Sequence, residues 1–277
     1  MQRSNITNLS ILSLFIVLIA TIPSQACADE YPTAPPTSDW TVTGSAAVAS
    51  QYRFRGISES NNGPVVQGTI TVAHASGFYV SAWASSAPSG NSPVNIGGSE
   101  LDIYGGYTHA IAHSAVVFDG GLYGYVYAGL PADNLYEIYG SLSETIGPVT
   151  GKIGGAFAPG QKVFDTNLSS TARENLYVYV EATGAIPHTP ITLHTHLAHT
   201  GGGFDYTKPY LDYTIGATAK WKRLSLDLSL VGTNVSRNDI ARSGIATNSS
   251  GSVDPLKLDA FYRQGKPVAV VSLSVSF

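Results

Sequence analysis

The sequence predicts an all-β fold: a single-domain transmembrane antiparallel β-barrel of about twelve strands. Three observations predict it. From Trp40 to Phe277, apolar and polar residues alternate with period two, which is the pattern of strands with one apolar and one polar face. Charged residues make up only 12% of the 277 residues, against about 25% in ordinary soluble domains. Yet no apolar run beyond residue 28 reaches the roughly 20 residues of a helical span. The connections also alternate, short then long, as they do in barrels with short turns at one membrane face and longer loops at the other.

The first 28 residues have the three parts of a secretory signal peptide. Arg3 supplies the positive start, Ile11–Ala20 the apolar stretch, and Ala26-Cys27-Ala28 the small-residue cleavage site after Pro23. Cleavage after Ala28 removes the one cysteine, so no disulfide framework is expected. The rival reading makes Cys27 a lipidated first residue, but Ser24-Gln25-Ala26 lacks the apolar residue such a site wants at its first place. Losing Arg3 takes the formal charge from −4 to −5. Residues 29–39, with Pro32, Pro35 and Pro36, read as an extended periplasmic leader, and 40–277 as the barrel. No basic tract is present, which excludes nucleic acid as a partner. Gly 29, Tyr 16 and Met 1 suit pleated strands, tight turns and interfacial aromatic belts.

Along the barrel, Trp40, Val42, Val48, Tyr52 and Phe54 share the apolar face of the first strand, with Arg53 and Arg55 opposite. Phe78, Val80 and Ala82 oppose Tyr79, Ser81 and Trp83. Leu101, Ile103 and Tyr107 oppose Glu100 and Asp102. Phe118 and Leu122 oppose Asp119, Tyr123 and Tyr125; Tyr136 and Ile138 oppose Glu137 and Tyr139; Ile153 opposes Lys152. Val178 and Val180 oppose Tyr177, Tyr179 and Glu181; Leu193 and Leu197 oppose His194 and His196; Tyr213 and Ile215 oppose Asp212; Leu226 and Leu228 oppose Asp227. After a long polar loop, about 234–266, the last strand sets Val271, Leu273, Val275 and Phe277 against Ser272, Ser274 and Ser276. No stretch past residue 40 shows a 3.6-residue period. Closure is the physical solution in lipid, where an unpaired strand edge is excluded. The apolar faces then meet lipid and the polar ones a lumen.

Ser50-Gln-Tyr-Arg-Phe-Arg-Gly-Ile-Ser58, with Gln67-Gly68, Ala73-His-Ala-Ser-Gly-Phe-Tyr-Val80, Glu100-Leu-Asp-Ile-Tyr-Gly-Gly-Tyr107 and Leu135-Tyr-Glu-Ile-Tyr-Gly-Ser-Leu142, resembles the TorF-type porins of proteobacteria over nearly the whole mature chain. The Tyr-Arg-Phe-Arg-Gly block is the specific part; the long 234–266 loop departs from the pattern. The resemblance implies an outer-membrane porin; about twelve strands with tyrosine-rich inner faces predict a narrow lumen, for passive diffusion of small polar or charged solutes. The resemblance also implies that the assembly machinery reads the strand ending at Phe277.

The expected pore-lining residues are Arg53, Arg55, Glu100, Asp102, Asp119, Glu137, Lys152 and Glu181, the arginines either attracting anions or pairing with the acids. His194 and His196 share a face as a metal pair would, yet no cysteine or nearby acid completes a site, so no metal or cofactor is expected. No Gly-x-Ser-x-Gly elbow, P-loop or dinucleotide fingerprint occurs, and no catalysis is expected. Two alternatives stand: a closed structural or adhesive barrel binding partners through its loops, and a barrel lipase or deacylase with Ser and His on one face.

Overall fold

A computed structural model describes residues 39–88, 90–166 and 172–277. The expected signal peptide, and all of the leader except Asp39, lie outside them. The first strand is β1 (Trp40–Ala49), followed by two short strands, β2 (Arg53–Phe54) and β3 (Ile57–Ser58). Then come β4 (Val65–His74), β5 (Phe78–Ala87), β6 (Gly98–Ala110), β7 (Val116–Val126), β8 (Leu135–Ile146), β9 (Val149–Ala158) and β10 (Asn175–Ala185). The chain continues with β11 (Ile191–Gly202), β12 (Tyr210–Trp221), β13 (Leu224–Thr233), helices α1 (Arg237–Ser243) and α2 (Pro255–Gly265), and β14 (Val268–Ser276).

Twelve of these strands close a barrel in chain order, all antiparallel, with β1 paired to β4 on one side and β14 on the other. They run from nine residues in β14 to thirteen in β6, the reach a tilted strand needs to cross lipid. The seam is the shortest pairing: Ser45 faces Ser276 and Ala49 faces Ser272. Phe277 extends it, exchanging bonds of 3.0 and 2.9 Å with Gly44. Its ring lies over Gly44, where a Cβ would come within 2.6 Å of it; an aromatic ring covers an edge glycine.

The outer surface is apolar because alternation puts it there. Val42, Val80, Leu122, Ile138, Ile153 and Leu228 all point out and are exposed. Aromatic side chains gather at the end with the short turns: Trp40 pairs with His74 at 4.6 Å and Phe78 with Tyr107 at 4.9 Å, while Trp221 and Phe277 stand exposed nearby. Such a girdle marks a water–lipid boundary. Each short turn carries a left-handed residue, at Gly77, His113, Gly147, His188 and Lys222, which reverses the chain tightly.

Two expectations are corrected. Tyr52 and Phe54 are not on the lipid face. β1 stops at Ala49, and every residue from Gln51 to Ser60 is buried; alternation records sidedness but not where a strand leaves the wall. The 234–266 loop is not wholly irregular either. Ser236 and Asp239 form a reciprocal capping box for α1, and Asp254 caps α2 ahead of Pro255, both signals of a helix start.

Candidate functional site

The block most particular in the sequence forms a plug in the barrel. β2 and β3 pair as a two-residue hairpin, Arg53 opposite Ser58 and Phe54 opposite Ile57. Its tip is Arg55 at φ 48° and Gly56 at φ 80°, the left-handed pair that a type I′ turn requires. Holding an arginine there costs of order 1 kcal/mol, so its surroundings must fix it. A Cβ on Gly56 would meet Thr233 Cγ2 at 2.6 Å, so the tip also packs tightly against the wall.

Arg55 reaches from the hairpin to β8, where its Nη2 donates to both Glu137 oxygens at 2.7 Å. Tyr125 Oη donates to the same carboxylate at 3.0 Å. The guanidinium lies over Tyr177 at 4.2 Å and beside Phe54 at 4.7 Å. Its Nε and Nη1 have no hydrogen-bond acceptor, and the ring faces take the place of one. Arg53 binds no acid. It donates to Gln51 Oε1, Asn62 Oδ1 and the carbonyls of Gly56, Gln264 and Lys266. The last two carbonyls are the open end of α2, where a cation is favoured. The hairpin is therefore tied both to the far wall and to the helical loop. Glu59 sits in its return arm, and burial pushes that carboxyl well above its ordinary range, with Glu100 adding to the effect.

The walls differ. β5 to β10 carry Tyr79, Tyr104, Tyr123, Tyr139, Tyr177 and Tyr179 inward, with Tyr104 stacked on Tyr123 at 4.7 Å. Glycines opposite them make room: a Cβ on Gly106 would lie 2.6 Å from Tyr139 Oη, and one on Gly154 2.6 Å from Tyr179 Cζ. β12 to β14, β1 and β4 present mostly Ser and Thr, among them Thr43, Ser45, Thr69, Thr214 and Ser225, all partly exposed inside. Small hydroxyl side chains leave space on this side of the interior where tyrosines fill it on the other.

The expected pore-lining acids and Lys152 all face inward and are buried or nearly so. Asp102 accepts from Tyr123 at 2.7 Å and Asp119 from Tyr79 at 2.8 Å; Tyr79 is also bonded to Tyr139. Glu100 has Tyr52, Asp102 and Tyr127 beside it. Lys152 stands 3.7 Å from Glu181 and over the Tyr179 ring. His194 and His196 do share the inner face, but each is taken by acids from other strands. His194 Nε2 lies 2.7 Å from Asp227, which also accepts from Thr218 and Ser229. His196 lies 3.0 Å from Glu181 and 3.4 Å from Asp212. Among the described residues no cluster of three or more His, Cys, Asp or Glu has the arrangement of a metal site. Glu59, Asp212 and Asp227 are interior acids beyond the expected set; the alternation of β12 and β13 already placed the last two on the polar face.

Three solved structures are similar to this chain: a KdgM porin (12% identity, TM-score 0.52, covering 85% of this chain and 99% of that one), a KdgM porin in complex with disordered oligogalacturonate (11%, TM-score 0.51, 86% and 99%) and a NanC porin (11%, TM-score 0.49, 86% and 99%). At these identities the likeness shows the fold, an outer-membrane type of barrel, and the first two carry it. No curated protein matches the sequence. Residues 33–253 match the sequence model described as "Bacterial protein of unknown function (Gcw_chp)", and the chain belongs to that family.

Proposed function

We propose that this protein is a porin-like channel of the bacterial outer membrane, of the TorF type its sequence resembles. It passes small polar or charged solutes through a lumen narrowed at the loop end by the β2–β3 hairpin. The observation that carries the reading is the closed barrel with an apolar, aromatic-girdled outside and an inside of charges and hydroxyls, the division that lipid and a water-filled lumen impose. Export through the signal peptide and recognition of the strand ending at Phe277 by the assembly machinery belong to the same proposal. Selectivity then follows from width and lining charge, with no cofactor.

The buried hairpin favours a second reading, a closed barrel that binds partners through its external loops. A barrel lipase or deacylase is less supported, since the Nε2 atoms of His194 and His196 face carboxylates and a tyrosine where a nucleophile's base would face a serine. Swelling of liposomes containing the refolded protein separates these. A channel admits small neutral and charged solutes and excludes larger ones. Folded protein that admits none sinks the channel reading and leaves the loop-binding barrel.

A further inference from the structure

We infer that the lumen selects cationic solutes, an inference that rests on the channel reading and names the solute class for it. Acids dominate the interior. Glu100, Asp102, Asp119, Glu137, Glu181 and Asp212 face inward from the strands, as does Asp227. The inward Lys and Arg side chains among the described residues are Lys152, the hairpin's Arg53 and Arg55, and Lys220, which shares the inner face of β12 with Thr218 near the turn-end rim. Acids prevail even with His194 and His196 counted as charged.

The acids also keep capacity to spare. Asp102 Oδ1, Asp119 Oδ2 and Asp212 Oδ2 have no hydrogen-bond donor, Glu100 has only the Tyr52 and Tyr127 hydroxyls and Asp102 beside it, and each of these side chains is at most 3% exposed. They come from β6, β7 and β12, on more than one part of the wall. Carboxylate oxygens in such a setting attract a cation, and low-dielectric walls focus that field along a narrow channel.

The chain's own cations show what the aromatic wall accepts. Arg55 is held by the Glu137 carboxylate at 2.7 Å and the Tyr177 face at 4.2 Å. Lys152 repeats the arrangement more loosely, 3.7 Å from Glu181 and 5.5 Å from the Tyr179 ring centre. Carboxylate beside tyrosine face is a receptor for guanidinium and ammonium groups. An anion would meet the wall hydroxyls and the Lys152 ammonium, but the backbone amides are spent in the barrel, and Arg55 Nε and Nη1, which lack an acceptor, are covered by the Phe54 and Tyr177 rings. Small solutes bearing ammonium or guanidinium groups fit this chemistry.

The test is the reversal potential of the refolded mature chain in a planar bilayer under a potassium chloride gradient, with arginine and glutamate fluxes into vesicles as the second readout. The expected cation-to-anion permeability ratio is about 10, the lower end of field focusing in a charged cleft, and arginine enters faster than glutamate. Glu100→Gln with Asp102→Asn lowers the ratio severalfold, while Asp259→Asn on the outer helix α2 leaves it unchanged. A wild-type ratio of one or below, or glutamate entering faster, overturns the inference and leaves the channel standing. No current and no flux from folded protein overturns the channel reading and the inference with it. The wild-type ratio decides even if the double variant fails to fold.

Discussion

Arg55 concentrates the residue-scale physics of this protein. It sits at a left-handed backbone position, wholly buried, with one carboxylate and three aromatic rings around it. Removing one partner leaves a buried charge without compensation, which costs about 3–5 kcal/mol. Glu137→Gln therefore lowers the unfolding free energy from a urea titration by that order, and Arg55→Met with Glu137→Leu recovers much of the loss; equal effects of the single and double changes would contradict a buried pair. Gly106→Ala is a second residue-scale prediction. Its methyl falls 2.6 Å from both the Gly120 carbonyl oxygen and Tyr139 Oη, so the strand backbone as well as the ring must move, at about 1–3 kcal/mol of overpacking. The measurement is the urea midpoint, which a site with room for the methyl would leave unchanged. The sidedness of Glu137, Tyr139 and Asp119 was legible in the sequence, because period two fixes which face a strand residue takes. That Glu137 takes Arg55, and Arg53 takes the carbonyls at the end of α2, was not. Partners separated by 82 and 211 residues leave no local trace.

Among elements, the helices of the last loop were the least visible. α1 has seven residues, less than two full turns by periodicity, so no repeating stripe announces it. Its capping box is nonetheless in the sequence as Ser236 and Asp239. Ser236 Nα and Oγ donate to Asp239 Oδ2 at 2.9 and 2.7 Å. Lys208 lies 2.8 Å from the same oxygen and, with those bonds, holds that carboxyl down to about 2. A carboxyl depressed below its unfolded value of about 3.9 stabilises the fold above that value and loses its contribution as pH falls toward 2. Amide exchange in α1 should therefore accelerate over that interval in the wild type. In Asp239→Asn it should be faster already at neutral pH and lack that step; an unchanged pH profile in the variant would remove Asp239 from the account. Ser236→Ala should loosen the same amides by about 1 kcal/mol.

At the scale of the molecule, closure was readable in advance because three independent constraints agree: alternation, low charge and the short–long rhythm of connections. The turn positions followed from glycine, proline and polar clusters, and the aromatic girdle from the strand ends. The inward hairpin was hidden because it preserves alternation. Tyr52 and Phe54 still oppose Arg53 and Arg55, and the same pattern fits a wall strand or a plug within the walls. Only the whole barrel decides, by offering the hairpin Glu137, Tyr177 and the end of α2. The central claim is that this hairpin sets the width of a conducting lumen. Single-channel conductance of the wild type beside a variant with residues 51–63 replaced by a short Gly-Ser link tests it most directly. Small discrete openings are expected in the wild type and distinctly larger ones in the variant. Equal conductance in two folded proteins, or silence in both, would contradict the claim.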